Sequence, residues 1–128
     1  MDPQKPPAIS VVVPSYNQSA LMPRLMDSID AQDNADEVEL VVVDDCSPDD
    51  TQQVVEAWMA QPRAVRTQYI RLARNGGPGR ARNEGAKAAR APVVAFTDSD
   101  CVAAPGWCRG LLDALHLGEG YIGVGGKV

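Results

Sequence analysis

VELVVVDDCSPDDT, residues 38–51, holds the instruction for the fold. A short apolar run, rich in β-branched valine, stops dead at two carboxylates, Asp44 and Asp45. It then passes into Ser-Pro-Asp-Asp-Thr, residues that open helices. An apolar run this short reads as a buried strand rather than a helix, here 38–45. The segment that follows, 47–61, puts Val54, Val55, Trp58 and Met59 on one side of a helix, with Asp49 or Asp50 as its cap.

The same grammar repeats in both directions. Upstream, AISVVVP at 8–14 is a strand, and 19–32 is a helix carrying Leu21, Met22, Leu25, Met26 and Ile29 behind a Ser19 cap. Downstream, VRTQYIRL at 65–72 alternates and suits a strand at or near a sheet edge. An alanine-rich helix at 77–91 can lie close against a sheet, and PVVAFTD at 92–98 is the next strand. A helix at 105–118 follows, with Pro105 near its start and Gly118 at its end, and then a last strand at 121–128. Alternating strands and helices with apolar strands imply an α/β fold, an open and mainly parallel sheet with helices on both faces. Ligands of such sheets bind beyond the carboxyl ends of the strands, at a switch point.

Those ends read Pro-Ser-Tyr-Asn, Asp-Asp-Cys-Ser and Asp-Ser-Asp. Asp98 and Asp100 stand one residue apart, so in an extended chain they face the same way, roughly 6.5–7 Å apart. Like charges so placed cost energy unless a cation or hydrogen bonds compensate them. A plain turn, with Asp100 capping a following helix, would also explain the pair. Convergence of three polar strand ends on one edge weighs against the turn alone. Asp44 and Asp45 have no evident structural task, and an aspartate there can accept hydrogen bonds from ribose hydroxyls or a base N–H. Tyr16 could stack on a base or pack in the core. His116, Cys101 and the Met and Trp residues of the helices read as packing.

Composition narrows the field. The 128 residues suffice for one domain, residues 8–128, behind a disordered tail at 1–7. A net charge of −5 speaks against wholesale nucleic-acid binding. Yet Arg71, Arg74, Arg80, Arg82, Lys87 and Arg90 gather half of the chain's 12 cations in one segment, which suits a small anion such as a phosphate. Three cysteines with no C-x-x-C spacing and one histidine argue against a disulfide framework and a structural zinc site. No signal-peptide pattern or apolar span is evident, so reduced thiols and a cytoplasmic setting are expected. NGGPGRARNEG is not a dinucleotide fingerprint, because Arg82 stands at the third glycine position, and no G-K-S/T follows to make a P-loop. It is either a turn and helix start or an anion-facing loop whose arginines reach a phosphate.

Taken in order, VVVPSYN, VVVDDCSPDDT, NGGPGRARNEGAKAA and FTDSD resemble the nucleotide-binding half of family-two glycosyltransferases of the GT-A fold. The resemblance covers about Ile9 to Val128. It implies a nucleoside held by Tyr16 and Asp45, with Pro14, Asn17 and Asp44 adjacent, and a diphosphate near Arg80 and Arg82. It implies that Asp98 and Asp100 form the family's D-x-D motif. Asp98 would contact the ribose, and Mn²⁺ or Mg²⁺ would sit directly on Asp100 and through water on Asp98. Both ions prefer oxygen ligands, and Mg²⁺ sites combine one or two carboxylates with substrate phosphates. The donor would be a nucleoside-diphosphate sugar, a UDP-sugar by preference. The acceptor would be a glycan or lipid-linked sugar in cell-envelope polysaccharide synthesis, with inversion at the transferred sugar.

The resemblance also has a gap. The family's acceptor site and catalytic base lie well beyond the D-x-D, while Asp113 and Glu119 sit in no matching motif. The chain therefore reads as the donor-binding portion of a longer enzyme, its acceptor-binding part missing. Alone it is expected to be inactive and to self-associate through the truncated sheet, with the full-length protein peripheral at the membrane. A non-catalytic nucleotide-sugar module is the main alternative. A phospho-acceptor receiver domain fits less well, because the acidic pair follows the second strand, and a dinucleotide oxidoreductase fails on the fingerprint.

Overall fold

The computed structural model describes residues 5–117. Four strands and four helices alternate: β1 (Ile9–Ser15), α1 (Met22–Asp30), β2 (Val38–Asp44), α2 (Thr51–Met59), β3 (Arg66–Arg71), α3 (Pro78–Ala88), β4 (Val93–Phe96) and α4 (Trp107–Leu117). A single 3₁₀ turn, Ala35–Glu37, leads into β2. The strands form one parallel sheet in the order β3-β2-β1-β4, so the chain steps outward from β1 to β3 and then crosses back to β4. The switch point falls between β1 and β4. Among the described residues, the alternating segment at 65–72 forms an edge strand.

Period-two alternation sorts the sheet into two faces. Ile9, Val11 and Val13, with Val38, Leu40 and Val42, point into the larger cluster, which takes in Met22, Leu25, Met26 and Ile29 of α1, Val55 and Trp58 of α2, and Trp107, Cys108, Leu111 and Leu112 of α4. Each large apolar side chain so buried contributes about 1.5–3 kcal/mol. Val12, Val41 and Val43 point the other way and meet Ala81 of α3. There the alanine-rich sequence has its effect: a Cβ on Gly85 would lie 2.3 Å from Val12 Cγ1 and 3.0 Å from Val43 Cγ2. The helix backbone rests directly on the sheet.

At the amino end of the sheet sits a buried polar knot. Glu39, with no exposure, accepts hydrogen bonds from the Ser10 hydroxyl (2.7 Å), Gln68 Nε2 (2.9 Å) and the backbone N–H of Arg90 (3.0 Å). Ser10 Oγ in turn accepts from Ala91 N–H. The knot ties the α3–β4 connection to the sheet.

Several local expectations change. Ser19 does not cap α1, which starts at Met22 with proline in its first turn; instead the Ser19 N–H donates to Asp49 Oδ2 at 3.1 Å. Asp49 rather than Asp50 serves the start of α2, accepting from Thr51 N–H and Oγ1. His116 is exposed, not packed, because it falls on the outer side of α4. Lys5 and Pro6 are exposed while Pro7 is buried. Residues 1–4 of the expected tail, Gly118, Glu119 and the expected strand at 121–128 lie outside the described residues.

Candidate functional site

The carboxyl edge opens because β1 and β4 part company. β4 pairs with β1 only from Ile9 to Val12, and the last bond between them runs from Thr97 N–H to Val12 O. Two residues on, Pro14 faces the same side and has no N–H to donate, so the ladder cannot continue. A cleft of about 570 Å³ lies there, within the usual range for small-ligand sites.

β1 and β2 end in matching turns. Asn17 and Cys46, each one residue past the strand-end polar pair, both take left-handed φ values, 55° and 62°. Such strain in non-glycine residues clusters at functional sites. The Asn17 N–H donates to Ser47 Oγ at 3.0 Å, which locks the two turns together and presents Tyr16, 47% exposed, to the cleft.

The two adjacent aspartates go separate ways. Asp44, the last residue of β2, points to the α1–α2 face and is fully buried. Its carboxylate accepts from Ser47 N–H (2.8 Å), Arg71 Nη1 (3.0 Å) and the Tyr69 hydroxyl. Burial first, and then the bond to Asp44, push the Tyr69 hydroxyl above its ordinary pKa. Asp45 turns to the α3 face, and its two oxygens accept the N–H groups of Gly76 (2.9 Å) and Gly77 (2.8 Å). Gly77 sits at φ 89°, ψ 165°, a conformation open in practice to glycine alone. Both aspartates therefore have structural tasks, contrary to the expectation from sequence. Strand alternation sends neighbours to opposite faces, where each finds donors far away in sequence.

The basic segment also divides. Arg80 folds back over Gly76 and donates to Arg74 O at 3.3 Å. Arg82 enters the cleft and places Nη2 3.4 Å from Asp98 Oδ1. Beyond β4, Ser99 is buried and donates to Gln18 Oε1, while Asp98 and Asp100 remain exposed. Ligand atoms of Asp98, Asp100 and Cys101 all lie within 4.8 Å of one another. Cys101 is thus not core packing; its thiol approaches Asp100 Oδ1 at 3.6 Å. The far end of this loop is clamped to α1 and the turn after it: Ala103 N–H donates to Ser28 Oγ, Gln32 Nε2 to Ala104 O, and Cys108 N–H to Gln32 Oε1. Cys108 itself is inert, its thiol pushed up to about 12 by burial and then by Asp33.

The cleft thus unites Pro14, Tyr16, Asp45, Arg82, Asp98 and Asp100. Of the other candidates from sequence, Asn17, Asp44 and Arg80 do not line it. Sequence reasoning missed Ser15, Gln18, Asn75, Gly77, Pro78 and Ser99 as lining residues. Asn75, Gly77 and Pro78 belong to the glycine-rich segment read from sequence as a candidate anion-facing loop, although only its arginines stand out there.

Comparison with known proteins agrees with this fold. Residues 10–126 match the profile of glycosyl transferase family 2. The succinoglycan biosynthesis protein ExoO of Rhizobium meliloti (strain 1021) is 39% identical over 120 residues, 94% of this chain and 33% of that protein. The crystal structure of S. aureus TarS 1-349 in complex with UDP-GlcNAc superposes with a TM-score of 0.73 at 38% identity, over 85% of this chain and 30% of that one. The mannosyltransferase PcManGT from Pyrobaculum calidifontis, in complex with GDP-Man and Mn²⁺, gives a TM-score of 0.74 at 31% identity, over 82% of this chain and 31% of that one. The fold is GT-A, and the chain belongs to glycosyl transferase family 2. It spans about a third of the length of these relatives. Among the described residues no helix is long and apolar enough to cross a membrane.

Proposed function

We propose that the chain is the donor-binding part of a glycosyltransferase that takes a nucleoside-diphosphate sugar, a UDP-sugar by preference, and passes the sugar to an acceptor hydroxyl with inversion. The observation that carries this is the cleft itself: an aromatic ring, a buried carboxylate, an arginine and two exposed carboxylates meet at the switch point of a parallel sheet. TarS, crystallised with UDP-GlcNAc, and PcManGT, crystallised with GDP-Man and Mn²⁺, support the ligand class.

Tyr16 offers a stacking face to the base. Asp45 already accepts two amide N–H groups. Each carboxylate oxygen keeps a second lone pair, so a base N–H can still be read. Arg82 supplies a guanidinium for the diphosphate. The exposed oxygens of Asp98 and Asp100 suit a hard divalent cation, Mn²⁺ or Mg²⁺. When bound, that ion supplies Lewis-acid neutralisation of charge on the departing nucleoside diphosphate. The base for the acceptor hydroxyl is expected from a carboxylate outside this set.

Calorimetric titration tests the reading. UDP and Mn²⁺ should each bind more tightly in the presence of the other, and Asp100→Asn should remove that mutual enhancement while leaving the thermal unfolding midpoint unchanged. Equal UDP affinity with Mn²⁺ and with EDTA would overturn it.

A further inference from the structure

Asp98 and Asp100 are alike in sequence but not in surroundings. Asp98 has a cation against it, Arg82 Nη2 at 3.4 Å. Asp100 has the weakly polar thiol of Cys101 3.6 Å away and, among the described residues, no ion-pair partner. We propose that Arg82 is a positioning residue that occupies Asp98 in place of the metal and yields it only when a diphosphate enters the cleft. The proposal rests on the donor-and-metal reading above and goes beyond it, because it says why ion and nucleotide depend on one another.

Two positive groups cannot share one carboxylate oxygen without repulsion. A dication arriving alone therefore meets Asp100 unhindered and finds Asp98 engaged by a guanidinium. The contact is loose: the side chains of Arg82 and Asp98 are 41% and 58% exposed, and 3.4 Å is long for a charged pair. Such pairs are weak and exchange readily. A diphosphate is the better partner for Arg82, offering two charged oxygens to its fork where Asp98 now offers one. Arg82 and both carboxylates line the same cleft, so the exchange needs no new approach path. Once Arg82 turns to phosphate, Asp98 is released to the ion. Coupling of this kind is reciprocal, so the ion must improve nucleotide binding by the same factor.

The test measures Mn²⁺ affinity of the chain by the electron paramagnetic resonance signal of unbound Mn²⁺, with and without UDP. Arg82→Gln should bind Mn²⁺ alone more tightly than wild type, by roughly 3- to 10-fold for loss of one exposed charge. The factor by which UDP improves Mn²⁺ affinity should shrink at least as much. Arg82→Lys keeps a charge at the site and should fall between the two. If Arg82→Gln binds Mn²⁺ no better than wild type, or if the UDP enhancement survives intact, the inference is overturned. Asp100→Asn separates this from failure of the underlying reading: if it binds Mn²⁺ as wild type does, the ion is not at this pair at all, and both ideas fall together.

Discussion

At the two ends of the sheet, carboxylates lead opposite lives. At the amino end Glu39 is walled in by Ser10, Gln68 and the Arg90 N–H, with every oxygen engaged. At the carboxyl end Asp98 and Asp100 stand in the open, one held loosely by Arg82 and the other facing a thiol. Between these extremes Asp44 is consumed by Ser47, Tyr69 and Arg71, while Asp45 holds the glycine loop and still lines the cleft. The count of donors that an acid already holds, rather than its charge or position in a motif, separates scaffold from site. Buried carboxylates must be hydrogen-bonded to be tolerated at all, whereas a carboxylate left with lone pairs at a cleft is available to a ligand.

That ordering can be broken by substitution. The largest effect is expected from Glu39→Ala, which takes the acceptor from the buried Ser10 hydroxyl and from the half-buried Gln68 amide and Arg90 N–H, leaving Gln68 only its bond to Ala88 O. At roughly 1–3 kcal/mol for each buried group left unpaired, a loss of about 3 kcal/mol or more should appear in urea unfolding, with the cleft residues untouched. Asp45→Ala should cost less, about 1–3 kcal/mol, and should add a functional signature. With Gly76 and Gly77 released, pyrophosphate as well as UDP should bind more weakly in calorimetry; unchanged pyrophosphate binding would detach the loop from the site.

Asp49 sharpens the comparison through pH. Burial raises its pKa, but the hydrogen bonds from Thr51 and Ser19 outweigh it, leaving the carboxyl below its ordinary value. A folded-state pKa below the unfolded one gives stability that is present above the unfolded pKa and lost as pH falls through the folded one. Asp49→Asn should therefore flatten the acid limb of the stability profile below about pH 4, measured by thermal unfolding. The smallest effect belongs to Asp98→Asn and Asp100→Asn, which should move stability by less than about 0.5 kcal/mol in the absence of ligand. A marked destabilisation by either would place that residue with the scaffold.

Much of this was legible in the sequence. Strand positions follow from short valine-rich runs; Tyr16, Asp45, Asp98 and Asp100 stand just past their ends, and Arg82 lies in the first turns of the helix after the glycine-rich loop. What was not legible depends on long-range partners. Nothing local says that Asp45 will meet amides 31 and 32 residues away, or that Gln18 will accept from Ser99. Nor does local pattern distinguish Arg80, which folds back on Arg74, from Arg82, which reaches the cleft. Ser19 misled because a helix-capping residue type was borrowed by a different loop, through Asp49.

The seating of α3 on bare backbone at Gly85 bears on how quickly the site can respond. A helix pressed onto Val12 and Val43 at this distance has no room to roll or slide. Arg82, three residues earlier on the same helix, can change partners only by rotating its own side chain. Rotamer changes of exposed residues take picoseconds to nanoseconds, against microseconds or longer for segment movements. The exchange at Asp98 should therefore never limit the pace of donor capture, and replacing Gly85 with a larger residue would trade a fast swivel for a displaced helix.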